Sequence, residues 1–596
     1  MTEFYNGLKQ RAVAYPRTAF ILLLLLIMLL DLLVVRDLAW LMENGTGKRF
    51  IVNFLFSAGA LMLLLSLVVG CRNRALRVIF IALVLLPQLV QLSYFSVYRN
   101  FVTVFDLRFF AEDPLLTLEL WLDNAVILKP LLLIALELPL LILLFNLQMR
   151  PRWWFRGING IVGGLMFLLI TFNWYGATKF QFSSVAYIGV FPSLIERQAF
   201  AETLAEKPVL AKRQASADQP NVVFVIGESL TRRNLGVYGY ERDTTPNLNR
   251  LAQQNRLVVY NNAVSIGTRT LSSVPYMMTG LQGIDPQGLI YSMPTIFNYA
   301  KSAGYQTGFI TAQDFQWRNT DQIFVDQDLD YYRNGTDFSA HVSVSIGADD
   351  MKVLQRGVKP YLQQLKDDQP FMLVVQMNGS HYPYDEHSPA EVKKFLPEED
   401  PNGLNAYDNT VVYTDLYLAE LLQAVRNKDP DAWVFYSTDH GQDVSADETF
   451  FNSGYSAGTI HNAMMVFPPE GWFEGLNRNR DLPVSQADIF ATVLALMDVT
   501  PVKPIDGVDL RESIDPERLR VVSAYMKTLH NEPNAVLVFP DLTYIHMNFE
   551  RGSATLRDGK TVQQFDQLPE LYQRVFLQRL NPEKYMSSAT SQSKEQ

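Results

Sequence analysis

Five apolar runs crowd the first 175 residues, at roughly 18–35, 50–70, 75–98, 125–147 and 157–175. Each approaches the ~20 residues that a helix needs to cross a bilayer. In lipid the backbone polar groups of such a run must be satisfied within the run itself, so helices are expected. A signal peptide would account only for the first run. That run lacks a small-residue cleavage site and four more follow, so it reads as an uncleaved anchor.

Basic residues near the ends of the runs set the expected orientation. Lys9, Arg11 and Arg17 precede the first run, Arg72, Arg74 and Arg77 follow the second, and Arg150, Arg152 and Arg156 follow the fourth. The alternate loops, 36–49 and 99–124, hold five basic and seven acidic residues. The N-terminus is therefore expected in the cytoplasm and everything beyond about residue 176 outside. In a Gram-negative cell that places an inner-membrane anchor below a periplasmic domain. Asp31 and Glu137 fall within or near apolar runs, where a carboxylate is a functional candidate unless it lies close to the interface. The aromatic, acidic loop 99–124 reads either as helices lying along the membrane surface or as a plain connector.

Charge separates the two halves. Residues 1–175 carry a net charge of +5 and the remainder −15. An acidic second half argues against nucleic acid as a partner, because phosphate recognition needs a basic footprint. Cys71 is the only cysteine, which excludes intrachain disulfides and a cysteine zinc site.

After a bridging, interfacial stretch (176–219), strand and helix patterns alternate. The runs 221–227, 305–311, 371–377 and 432–438 are apolar and β-branched, as in strands buried on both faces. Helical patterns cover 245–254, 270–280, 294–304, 351–366, 405–427 and 484–497. The expected architecture is an α/β domain over 220–585, a mainly parallel sheet with helices on both faces. Residues 586–596 are expected to be a disordered tail.

In such a sheet ligands bind beyond the carboxyl ends of the strands. Those ends present Glu228, then Asn378-Gly379-Ser380-His381, then Asp439-His440-Gly441. Glu228, Asp439 and His440 form a ligand set suited to a divalent cation, with Zn²⁺ or Mn²⁺ the natural candidates. A hydroxyl would complete it. Thr270, in "SIGTRTLSSVPYMM", sits where a loop becomes a helix, close to orphan N–H groups that favour a phosphate. A metal beside it would lower its hydroxyl pKa and make it a nucleophile. Thr270 could equally be an N-cap, and Thr268 or Ser272 could do the same job.

The chain resembles the membrane-anchored phosphoethanolamine transferases of the alkaline phosphatase–sulfatase superfamily, which modify lipid A or core sugars and include colistin-resistance enzymes. The matching stretches are "VIGESLTRRNLGVYGYERDTTPNL" (225–248), "GTRTLSSVP" (267–275), "NGSHYPY" (378–384), "AYDNTVVYTDLYLAELL" (406–422) and "FYSTDHGQD" (435–443). The resemblance implies metal ligation by Glu228, Thr270, Asp439 and His440, with Thr270 as nucleophile. It places two further histidines, His381 and His461, at the substrate phosphate or a second metal. Asp113 and Glu119 are the nearest equivalents of its lipid-contacting residues. Phosphatidylethanolamine is the implied donor, with lipid A or another envelope glycan as acceptor. Two departures stand out: Ile266 and Tyr276 occupy positions where many relatives carry disulfide cysteines, and Gln442 stands where many have an acid. The competing readings are phosphoglycerol transfer within the same superfamily and a non-catalytic lipid-sensing protein. His341, His387, His530 and His546 have no assignable partner.

Overall fold

The computed structural model describes residues 14–36, 41, 48–98, 101, 128–147, 181–189, 206–315 except 217, 321–339, 347–444, 454–526 and 533–580. The chain divides into two compact units, Met1–Thr203 and Leu204–Gln596.

Four of the five apolar runs are helices in the first unit: α1 Pro16–Leu30, prolonged by a π-helical turn Asp31–Val35, then α2 Lys48–Gly70, α3 Arg74–Tyr98 and α4 Leu128–Asn146. Among the described residues, Pro16–Val35 and Arg74–Ser93 are long and apolar enough to cross a membrane, while Phe54–Gly70 and Leu131–Asn146 are shorter apolar stretches. The fifth run, 157–175, lies outside the described residues, as do Asp113 and Glu119. Leu23, Ile27, Leu61, Leu65, Leu141 and Leu144 form a buried core between these helices. Leu22, Leu25 and Leu29 instead face outward from α1. Apolar residues on both faces of a helix are what a lipid surround demands.

Asp31 and Glu137 are both buried. Asp31 pairs with Arg36 and accepts the backbone N–H of Ser183 at 2.8 Å and its hydroxyl. The Asp31 carboxylate thereby ties the stretch 181–189 to α1. The stretch expected to bridge the two halves thus divides between the units. Phe182 and Val185 pack in the first core, whereas Lys207 binds Asp326 at 3.0 Å and Arg213 binds the Met497 carbonyl at 2.6 Å in the second.

The second unit is built on a seven-stranded sheet. Its strands are β1 Val222–Gly227, β2 Val258–Val259, β4 Gln306–Thr311, β5 Tyr331–Arg333, β6 Phe371–Gln376, β7 Trp433–Thr438 and β8 Met464–Phe467, in the order β2-β8-β7-β1-β6-β4-β5. The five strands from β7 to β5 run parallel; β8 and β2 close one edge antiparallel. Every residue of β1, β6 and β7 is buried, which is why those runs lack polar alternation. The six helical patterns correspond to α5 Pro246–Gln253, α6 Thr270–Met277, α7 Ile296–Ser302, α8 Asp350–Val353 (helical on to Gln364), α9 Leu404–Lys428 and α10 Ala487–Leu496.

Two smaller sheets complete the unit. A short parallel pair joins β3 Ala263–Val264 to β9 Val484–Ser485. A five-stranded antiparallel meander holds β10 Arg520–Ser523, β11 Asn534–Val538, β12 Tyr544–Asn548, β13 Ser553–Thr555 and β14 Val562–Gln564. The expectation of one mainly parallel sheet did not include this second layer. Its outer strands are short and its core, around Leu537, Ile545, Met547 and Phe576, is separate from the main one.

The two longest matching motifs brace each other. Asp408 of α9 accepts from Arg242 (2.8 Å), Asn234 (2.7 Å) and Tyr240 (3.0 Å). Asp415, about two helical turns further on, caps α5 from outside, accepting the N–H groups of Asn247 (3.0 Å) and Leu248 (2.8 Å). These N–H groups are orphans of the first turn of α5. Asp415→Ala should therefore cost about 1–2 kcal/mol, read as a lower denaturant midpoint of the full chain.

Candidate active site and metal centre

Glu228 follows β1 directly, and Asp439 and His440 follow β7, its hydrogen-bonded neighbour. One ligand atom from each of the three lies within 4.8 Å of the others, and all three side chains are buried. His440 Nε2 stands 3.5 Å from Asp439 Oδ2 and 3.9 Å from Glu228 Oε1. His440 Nδ1 lies 2.8 Å from the Gly441 carbonyl, which can only accept. The ring proton therefore sits on Nδ1, and the Nε2 lone pair faces the carboxylates.

The electrostatics call for a cation. Burial pushes the Asp439 carboxyl well above the usual range, and the adjacent Glu228 charge adds to it. Burial opposes ionisation of Glu228 too, but His381, His440 and hydrogen bonds from Ser229 (2.7 Å) and Gln313 (2.7 Å) hold its carboxyl below the ordinary value. Burial likewise lowers His440 and keeps it neutral. Asp439 Oδ1 accepts the N–H groups of Ser229 and His440, whereas Oδ2 is buried without a hydrogen-bond partner. An orphaned carboxylate oxygen, a second carboxylate and an imidazole lone pair facing one point fit a divalent metal with mixed nitrogen and oxygen ligands.

Thr270 is brought to this cluster. Its hydroxyl lies 3.3 Å and 3.4 Å from the Glu228 oxygens. The capping alternative resolves against it: Arg269 occupies the N-cap position and Thr270 is the first helical residue. Ser272 does the capping, accepting the Arg269 N–H at 3.2 Å and donating to its carbonyl at 3.0 Å. Thr268 is buried and its hydroxyl has no hydrogen-bond partner. Packing and hydrogen bonds hold the segment. Ile266 and Tyr276 are buried, the Ile266 N–H donates to Gln486 at 2.6 Å and Tyr276 donates to Asp285 at 3.1 Å. Gln442 donates to the Tyr384 hydroxyl.

His381 lies on the loop after β6, within electrostatic reach of Glu228. Its Nδ1 stands 2.7 Å from the Tyr382 carbonyl, which places the proton on Nδ1 and frees Nε2. Gly379 presses this loop onto Glu228. It has φ +49°, and a Cβ there would meet the Glu228 backbone at 2.9–3.0 Å. His461 is oriented differently. Its Nε2 donates to the Leu542 carbonyl at 3.2 Å, and burial, with Arg232 nearby, pushes its pKa down to about 4.

Three neighbours escaped the sequence reading. Gln313 follows β4, another strand end, and the rule that found Glu228 could have found it. Asp350 and His387 carried no such signal. His387 accepts from the Asn378 amide at 2.6 Å, and its ring meets that of His381 edge-on at 6.4 Å. Burial drives its pKa from 6.5 to about 3. A folded-state pKa below the unfolded one means that the unfolded chain binds the extra proton. The stabilisation is full above pH 6.5 and is lost as pH falls through that window, at roughly 1.4 kcal/mol per unit. His387→Asn keeps an acceptor for Asn378 without the titration. Urea melts between ~pH 4 and ~pH 7 should show a flatter stability slope for the variant.

Residues 220–499 match the sulfatase family model. Among curated proteins the chain is 32% identical over 259 residues to phosphoethanolamine transferase EptC of Escherichia coli O18:K1:H7, covering 41% of this chain and 43% of that one. It is 27% identical over 255 residues to the Kdo(2)-lipid A phosphoethanolamine 7''-transferase of Escherichia coli K12, covering 39% and 41%. The chain spans only about two fifths to a half of the length of the first curated relatives it matches. The solved integral membrane lipooligosaccharide phosphoethanolamine transferase A of Neisseria meningitidis shares the fold, with a TM-score of 0.55 and 19% identity over 79% of this chain and 95% of that one. The curated relatives that the chain resembles over this stretch are named phosphoethanolamine transferases.

Proposed function

We propose that this chain transfers phosphoethanolamine from phosphatidylethanolamine to a cell-envelope acceptor, lipid A or the lipopolysaccharide core, in two displacements through Thr270. The observation that carries the reading is the Thr270 hydroxyl held 3.3 Å from Glu228, beside Asp439 and His440. Glu228, Asp439, His440 and the Thr270 oxygen would hold a Zn²⁺, with Mn²⁺ the other candidate. Such a cation supplies Lewis-acid stabilisation of phosphoryl charge and eases loss of a hydroxyl proton. A second metal near His381 and His461 belongs to the same proposal.

The Thr270 oxygen bonds to the donor phosphorus as the P–O bond to diacylglycerol breaks. The proton lost by Thr270 is balanced by the one gained by the diacylglycerol oxygen, delivered by His381 or His461. An acceptor hydroxyl or phosphate then attacks the phosphorus of the Thr270 phosphoethanolamine ester; the Thr270 O–P bond breaks, and any proton released by the acceptor returns through the same histidine to the Thr270 oxygen. Orphan N–H groups at the start of α6 stabilise the phosphoryl oxygens in both steps. The relatives' names support the group transferred and the class of acceptor.

Five spans with the α/β unit in the periplasm complete the proposal. It is supported by the four apolar helices and by the fold shared with an integral membrane enzyme. Lipid-contact roles for Asp113 and Glu119 are part of it. Mass spectrometry of envelope glycolipids, with and without the gene, tests the function. An ethanolamine phosphate increment supports it. A glycerol phosphate increment would show the wrong group, and no increment would defeat the transfer reading.

A further inference from the structure

Asp350 is almost fully buried at the start of α8, and among the described residues no cation pairs with it. Its two oxygens instead grip consecutive backbone amides of the loop after β6. Oδ1 accepts the Asn378 N–H at 2.8 Å and Oδ2 the Gly379 N–H at 3.0 Å. The next amide, Ser380, donates to the Glu228 carbonyl at 3.0 Å. The Asn378 side chain is engaged by His387. Each amide from Asn378 to Ser380 is therefore committed, and the residue that follows is His381.

We infer that Asp350 is a positioning residue: by clamping the amides of Asn378 and Gly379 it fixes the loop that sets His381 against Glu228. A neutral side chain could satisfy one of these amides, but only a carboxylate offers two equivalent acceptors. Burying an acid here is costly. Burial pushes the Asp350 carboxyl up to about 7, against the two amide hydrogen bonds and with help from Asp349 and Glu228. The other titratable groups facing it are Tyr413, Tyr417 and Tyr436, none of them cationic. A purely structural cap would not require an acid in so unfavourable a place.

The link to catalysis rests on the role proposed above for His381. The test uses the full chain in lipid nanodiscs, comparing wild type with Asp350→Asn and Asp350→Glu. Asp350→Asn presents a donor to one of the two amides. It should lower kcat at least tenfold, with KM for phosphatidylethanolamine within about twofold and zinc content unchanged. Wild-type kcat should fall on the acid side of neutrality, and this limb should flatten in Asp350→Asn, while Asp350→Glu recovers part of kcat. Hydrogen exchange at residues 378–381 should quicken by about tenfold or more in Asp350→Asn. An unchanged kcat and acid limb would overturn the inference, as would loss of zinc and thermal stability in step with activity. If the wild type transfers no phosphoethanolamine, the proposed function fails. The exchange rates then still decide whether Asp350 holds the loop.

Discussion

Replacing Thr270 by Ala is expected to abolish the covalent intermediate and to lower transfer by about a thousandfold or more. The hydroxyl is the group that must form a bond to phosphorus, and the other hydroxyl at Glu228, that of buried Ser229, is engaged as a donor to that carboxylate at 2.7 Å. Ser272 is turned to the Arg269 backbone and Thr268 is buried behind it. The variant should still fold, because Ser272 does the capping and the Thr270 side chain is only partly buried. Metal content should stay near that of wild type, since Glu228, Asp439 and His440 remain. Intact-mass measurement after incubation with phosphatidylethanolamine reads the intermediate directly. A phosphoethanolamine adduct on the Thr270→Ala chain would assign the nucleophile elsewhere.

Asp439→Asn should have effects of opposite sign with and without metal. In the metal-loaded protein it removes an anionic ligand, and affinity for Zn²⁺ should fall by more than about 100-fold. In the stripped protein two buried carboxylates stand side by side with no hydrogen-bond partner for one oxygen. Replacing the acid by an amide removes the group whose ionisation burial and the Glu228 charge oppose. After chelation the variant should therefore melt roughly 2–4 °C above wild type, and below it once Zn²⁺ is restored. Calorimetry of both proteins in both states checks the crossover. If the stripped variant melted below stripped wild type, Asp439 would be a structural residue rather than one held against its own charge.

The parts of this site that could be read from sequence are those set by strand ends. Glu228 and the Asp439-His440 pair follow buried apolar runs, and the parallel-sheet rule brings such positions together without any knowledge of register. Thr270 was legible only as one of several hydroxyls, because its distinction is a direction: it faces Glu228 while Ser272 faces the backbone. Asp350 and His387 could not be read at all. Asp350 meets Asn378 and Gly379 across 28 and 29 residues of sequence, and His387 meets the Asn378 amide through the fold of the loop after β6. Asp408 and Asp415, within one of the matching stretches, are braces between α9 and the segment before and within α5. The antiparallel meander was missed because its strands are brief and pack on their own small core.

The nucleophile segment is held by Ile266 and Tyr276 where many relatives are expected to use cystines, and the second unit contains no sulfhydryl at all. Its integrity is therefore indifferent to thiol oxidants and reductants. Maturation of this unit requires no oxidoreductase, no isomerase reshuffling and no oxidising compartment.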